Sequence, residues 1–259
     1  LYVDQFKGLI RFLEAETGKR FDETAFRRVM GLVDEQENYY RMTRDLIASA
    51  RPTPLNIVDQ LPATVIPQWH RGTEWARDRA KLFYERTKAL VETGHAAVPG
   101  ERARLMWLGI GLWHNLRFYQ HFEQEHGAVF AWNEYLALGA DGYRVAAAAD
   151  PLRTLAGRMC NVMSVVAQDR WYNEQYLQAG LDGVVIMEGG ASREEGGGCN
   201  TAFGRAHRTR DIFERAGVPV CVINADPVNA AGFDEPALQA TISEFLVTEV
   251  LPRTANGAS

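Results

Sequence analysis

Cysteine is scarce in this chain. Three occur in 259 residues, Cys160, Cys199 and Cys221, far apart and never as a C-x-x-C pair. That excludes the disulfide framework of a small secreted protein, and a lone thiol cannot hold a metal cluster. Charge of one sign is lacking too: 28 Lys and Arg are scattered among 33 Asp and Glu, for a net charge of -5. No basic footprint for nucleic acid results. No run approaches the ~20 apolar residues needed to span a bilayer, and no signal or transit segment is expected from the opening residues. The expected setting is a reducing cytoplasm with no membrane attachment. G-x-S-x-G, H-E-x-x-H and Walker A motifs are missing. The turn Gly109-Ile110-Gly111-Leu112-Trp113-His114 lacks the third glycine of a dinucleotide-binding loop, with His114 in its place.

What is present is a core-forming composition, 46% apolar and 24% charged, enough for one large or two ordinary domains. Residues 1–98 read as a helical segment. Phe6, Leu9, Ile10 and Leu13 fall at helical spacing before a stop at Gly18. Asp22 offers an N-cap for a long helix through Met30, Val33, Tyr40 and Leu46, closed by Pro52 and Pro54. Leu55 to Pro67 reads as a short helix or loop, and a further helix runs from Thr73 to Gly94.

Beyond the Pro99-Gly100 boundary, residues 99–259 read as an α/β domain. Four short apolar strands are expected: Arg104 to Ile110, Ala128 to Trp132, Gly183 to Met187 and Val218 to Ile223. Helical stretches separate them, from Leu112 or Trp113, over Glu134 to Ala149, from Asp150-Pro151, over Arg170 to Ala179 and over Thr201 to Ala216. A last helix covers Glu235 to Val250. Strands alternating with helices predict a flavodoxin-like parallel sheet with helices on both faces, so the fold class is α/β. Ligands of such sheets lie beyond the carboxyl ends of the strands.

Cys199 follows Gly196-Gly197-Gly198 in the polar loop after the third strand, where a thiolate can be presented. Cys160 and Cys221 read as small buried hydrophobes. Trp107, Trp113, Asn115 and Trp132 are candidates for a substrate pocket, although core packing between sheet and helices is the favoured account of the tryptophans. His114 is the candidate proton donor, an imidazole at the active-site edge. Arg205, Arg208 and Arg210 suit phosphates, but a solvated helix face is the better account of them. Asp226 ends the last strand and caps the following turn.

Several pieces, in this order and spacing, carry a resemblance to a known family. They are Leu13-Glu14-Ala15-Glu16-Thr17-Gly18-Lys19, Trp107 to Asn115 with Phe118-Tyr119 and Phe122-Glu123, Gly127-Ala128-Val129-Phe130, Asp150-Pro151-Leu152-Arg153, Leu181 to Val185 and Ala216 to Val220. The chain resembles the benzoyl-CoA reductase and 2-hydroxyacyl-CoA dehydratase family over nearly its whole length. The resemblance implies a subunit of a heterodimer with a homologous second subunit. It also implies a [4Fe-4S] cluster on cysteine thiolates, and an ATP-hydrolysing iron-sulfur activator that supplies single low-potential electrons to a CoA thioester. Cys199 matches the position of the family's most C-terminal cluster cysteine. The other cluster cysteines of the family belong to an N-terminal α/β domain, which the resemblance places before Leu1. The aromatic residues lean the reading toward benzoyl-CoA reduction. A 2-hydroxyacyl-CoA dehydratase subunit is the alternative, and a non-catalytic scaffold subunit a third reading.

Overall fold

The computed structural model describes residues 1–109, 111–134, 136, 150–158, 168–189, 205–226 and 233–257. α1 (Tyr2–Thr17) ends on Gly18 in the left-handed conformation, as its stop signal predicts. α2 (Glu23–Ser49) begins where the Asp22 carboxylate accepts the Ala25 N–H at 2.9 Å. The segment expected as a short helix or loop is a full helix, α3 (Ile57–Trp69). Asn56 starts it by accepting the Asp59 N–H at 3.0 Å. α4 (Glu74–Glu92) is capped by Thr73 and packs along α2.

The α/β part runs β1 (Ala103–Leu108), α5 (Arg117–His126), β2 (Ala128–Asn133), α6 (Pro151–Arg158), α7 (Gln168–Gln178), β3 (Gly183–Gly189), α8 (Arg205–Arg215), β4 (Val220–Ala225) and α9 (Glu235–Phe245). The strands are all parallel, in the order β2-β1-β3-β4. The fold is thus the α/β one expected, with helices on both faces. Along β1, Leu105 and Trp107 enter one apolar cluster with Phe118, Phe122 and Ile242. Met106 and Leu108 enter the other, with Trp171, Leu181 and Phe213. Period-two alternation with both faces buried is what a central parallel strand requires.

Element ends differ from expectation for local reasons. β1 stops at Leu108 because Gly109 turns to φ 106°. β4 starts at Val220, since Pro219 has no N–H and contributes only its carbonyl, to Val184 N–H at 3.0 Å. β3 extends to Gly189, because Glu188 and Gly189 pair with Asn224 and Ala225. The last helix is not uniform: α9 passes through a wide π turn (Leu246–Val250) into α10 (Leu251–Gly257). The wide turn ends two residues before Pro252, whose missing N–H interrupts an ordinary i→i−4 ladder. Of the expected helix over Glu134 to Ala149, only residues 134 and 136 are described, and both are helical.

β2 carries one extra residue. Leu105 pairs with Phe130 but Met106 pairs with Trp132, leaving Ala131 without a partner on β1. Gln60 of α3 steadies this bulge, donating to the Ala131 carbonyl at 3.3 Å and to Leu55 O at 3.0 Å. Its own amide oxygen accepts Asn133 Nδ2–H at 2.8 Å.

Arg104 joins the helices to the sheet. Its side chain, 3% exposed, donates to Ile47 O at 2.9 Å and Ala50 O at 3.0 Å at the end of α2. It also donates to Thr53 Oγ1 at 2.6 Å and to Glu101 Oε1 at 3.2 Å. Replacing Arg104 with Ala leaves these acceptors stranded and is expected to cost about 3–5 kcal/mol. Urea unfolding followed by circular dichroism measures it; a loss under about 1 kcal/mol contradicts the role assigned to the guanidinium.

Glu123 links α5 to the start of α3. Its Oε2 accepts Asn56 Nδ2–H at 3.2 Å, while Oε1 is buried without a partner. Burial pushes the carboxyl up to about 7. The folded state therefore keeps a proton that the unfolded chain releases near pH ~4.3. The stability so contributed is full below that pH and is lost as pH rises through about 7. The urea midpoint of the wild type should fall across this window, and Glu123→Gln should flatten the fall. Parallel profiles for the two proteins would contradict this reading.

Candidate functional site

β1 and β3 lie side by side at the centre of the sheet. The crossover after β1 leads outward to β2 and the one after β3 leads outward to β4. The crevice between their carboxyl ends is thus the switch point where open α/β sheets hold ligands. Its floor is tight. A Cβ on Gly109 would lie 2.6 Å from the Met187 carbonyl oxygen, so only glycine lets β1 turn away here.

Two side-chain groups and a turn rise around this floor. Glu134, one residue past β2, accepts the Gly109 N–H at 3.0 Å through Oε2. Its Oε1 accepts a close hydrogen bond from the buried Tyr172 hydroxyl of α7. A carboxylate and a phenol are thereby fixed at the switch point. On the other side, residues 111–116 form a turn: Asn115 N–H donates to Leu112 O at 2.9 Å, and Leu112 N–H to Tyr119 Oη at 3.1 Å.

This turn is tied to the start of α9 and the loop before it. Asn115 Nδ2 donates to Glu235 Oε2 at 2.9 Å, and the His114 ring meets Phe233 edge-on at 5.0 Å. Helix α5 begins only at Arg117, later than the expected Leu112 or Trp113, because Asn115 is spent on these turn contacts. His114 is exposed and Trp113 is 41% exposed, so both present surface at this edge.

The five pocket and proton-donor candidates from sequence are not all brought together. Trp113, His114 and Asn115 share one turn. Trp107 is fully buried beneath it, its ring 4.9 Å from Tyr119 and 5.5 Å from Phe130. Trp132 lies on the opposite face of the sheet, 5.7 Å from Trp171, with its indole N–H donated to Gln175 Oε1 at 3.3 Å. The bulge separates the two: strict alternation puts residue 132 on the face of Phe130, and the extra Ala131 turns it to the other.

Cys199 lies outside the described residues, as does Cys160. Cys221 is buried in β4, as expected, and burial pushes its thiol up to about 11. Among the described residues no group of three or more His, Cys, Asp or Glu could hold a metal ion. These residues alone therefore do not fit an iron-sulfur cluster. Arg210 pairs with Glu214 at 2.6 Å on an exposed face of α8, while the side chains of Arg205 and Arg208 lie outside the described residues. Among the described residues no helix is long and apolar enough to cross a membrane.

Glu134, Tyr172 and Glu235 escaped the sequence reading. Glu134 had a usable signal, a carboxylate directly after an apolar strand and so at the ligand edge. Tyr172 had none, being one of many aromatics in a helix.

The whole of this architecture, from α1 to the start of the π turn, matches one family model, 2-hydroxyglutaryl-CoA dehydratase, D-component, over residues 1–246. The chain belongs to that family. It is 31% identical over 114 residues to the (R)-phenyllactyl-CoA dehydratase alpha subunit of Clostridium sporogenes, 44% of this chain and 28% of the relative. It is 30% identical over 110 residues to the (R)-2-hydroxyisocaproyl-CoA dehydratase alpha subunit of Clostridioides difficile, 42% of this chain and 27% of the relative. The lactoyl-CoA dehydratase subunit alpha of Anaerotignum propionicum is 27% identical over 115 residues, 44% of this chain and 27% of that protein. The chain thus matches less than a third of the length of these dehydratase subunits. They favour the dehydratase alternative over benzoyl-CoA reduction. The aromatic count that leaned the other way is partly packing, since Trp107, Trp132 and Trp171 are core residues.

Gly109→Ala tests the floor of the crevice. The positive φ costs about 1–3 kcal/mol for a residue with a Cβ, before the contact with Met187 is counted. A clear drop in thermal midpoint is expected from calorimetry, and an unchanged one contradicts the close approach.

Proposed function

We propose that the chain acts as part of a 2-hydroxyacyl-CoA dehydratase subunit, working in a complex with a second, homologous subunit and an ATP-hydrolysing iron-sulfur activator. The observation that carries the reading is the family match over residues 1–246, together with three relatives that are dehydratase alpha subunits. The reaction removes water across the α and β carbons of a 2-hydroxyacyl thioester. The carboxyl-edge crevice suits it: Trp113 and Asn115 border the thioester, and the His114 imidazole carries a proton to or from the reacting atoms.

Cys199 is the candidate thiolate ligand for a [4Fe-4S] cluster. Such a cluster takes about four thiolates. With Cys221 buried in a strand, at most two of the three cysteines remain for it, so ligands from outside this sequence complete the set. When bound, the cluster supplies single low-potential electrons. The described residues position, shield and protonate.

The deciding experiment is anaerobic turnover of the assembled complex with activator and ATP. (R)-phenyllactyl-, (R)-2-hydroxyisocaproyl- and lactoyl-CoA are compared with benzoyl-CoA. Dehydration of at least one 2-hydroxyacyl-CoA is expected, falling about 100-fold in His114→Ala, the usual range for a lost general acid or base. Cys199→Ser should lower iron and sulfide content and the low-temperature EPR signal. Turnover of benzoyl-CoA alone, or a full cluster in Cys199→Ser, overturns the corresponding half of the reading.

A further inference from the structure

The end of the sheet opposite His114 has its own chemistry. A cleft of about 820 Å³ opens at the amino edge, with Arg51, Arg102, Arg104 and Arg253 among its lining residues, against the carboxylates Glu101 and Asp182. That volume falls within the roughly 300–1,000 Å³ of small-molecule sites. Both carboxylates are already engaged. Glu101 accepts the Thr53 N–H at 2.6 Å and the Arg104 guanidinium at 3.2 Å; Asp182 accepts the Arg104 backbone N–H at 2.8 Å.

The outer arginines are different. Arg51 donates only to carbonyls, among them Ala179 O at 3.1 Å and Gly180 O at 3.4 Å. Arg253 donates to Gly217 O at 2.9 Å. Among the described residues neither has a carboxylate partner. The carbonyls fix both guanidinium groups against the lining backbone and leave neither in direct contact with a carboxylate, in a chain whose net charge is -5. Beneath them Arg104 is 3% exposed, and its Nε has no hydrogen-bond partner. Tyr176 and Leu177 add an aromatic and an apolar wall, Leu177 being 75% exposed. Tyr176, Asp182 and Arg253 all line this one hollow.

We propose that this amino-edge cleft binds a phosphate-bearing small molecule, its phosphate held by Arg51 and Arg253 and any organic part resting on Tyr176 and Leu177. Guanidinium groups without acidic partners recognise phosphate through charge-assisted, often bidentate bonds. The site is separate from the carboxyl-edge crevice, and its test needs no turnover, so it stands or falls independently of the dehydratase reading.

Isothermal titration of the full chain with ADP and, in a parallel arm, with inorganic pyrophosphate provides the test. Saturable binding of at least one probe is expected, weakening with added salt and about tenfold weaker in Arg253→Gln and Arg51→Gln. The tighter probe identifies a nucleotide-like or an inorganic source. Arg253 is exposed on α10, so its variant should keep the wild-type thermal midpoint and circular dichroism even if Arg51→Gln loosens the fold. Absence of saturable binding by folded wild-type protein overturns the proposal, as does equal affinity in wild type and Arg253→Gln. A poly-glutamate peptide that binds where neither probe does assigns the cleft to an acidic protein segment instead, and equally overturns it.

Discussion

One guanidinium holds the two layers of this chain in register. Arg104 starts a central strand, yet its hydrogen bonds end on the last carbonyls of α2. Those carbonyls have no partner inside their own helix, and a buried helix end without acceptors satisfied is costly. Arg104 therefore solves a problem created by the helical segment while sitting in the sheet. Burial lowers its affinity for a proton, and the nearby Arg51 charge acts in the same sense; the Glu101 and Asp182 carboxylates offset both. Every neighbour in that group follows from this arrangement. Asp182 is held by the Arg104 backbone, so the approach to β3 is fixed relative to β1, and with it the spacing at the opposite, carboxyl edge.

Much of the fold was legible because its signals are local. Asp22, Gly18 and Asp150-Pro151 mark helix ends through capping chemistry that spans only a few residues. The strands showed as continuous apolar runs, as burial on both faces demands. Signals that depend on a distant partner were not legible. Pro219 lies in an apolar run and looked like strand, but its lack of a donor matters only once β3 is beside it. The wide turn before Pro252 likewise leaves no periodic trace. Trp107 and Trp132 both stand toward the ends of apolar strands, but a bulge braced by Gln60, which is distant in sequence, puts them on opposite faces.

The candidate site was legible in part for the same reason. His114 and Asn115 stand after an apolar strand, where chemistry is expected from topology alone. Their partners Phe233 and Glu235 come from the other end of the domain and could be found only in three dimensions. The two edges of the sheet also differ in electrostatic character. Carboxylates stand with an imidazole at one, while at the other arginines outnumber the carboxylates Glu101 and Asp182.

The bulge has a further consequence for comparing members of this family. Ala131 acts as a phase insertion, and Glu134 lies only three residues beyond it. A homologue missing that one residue would emerge from the strand rotated by half a pleat, aiming the equivalent carboxylate away from the Gly109 amide. Alignments that place a gap here therefore separate two differently built crevices, even where every other residue around them is the same.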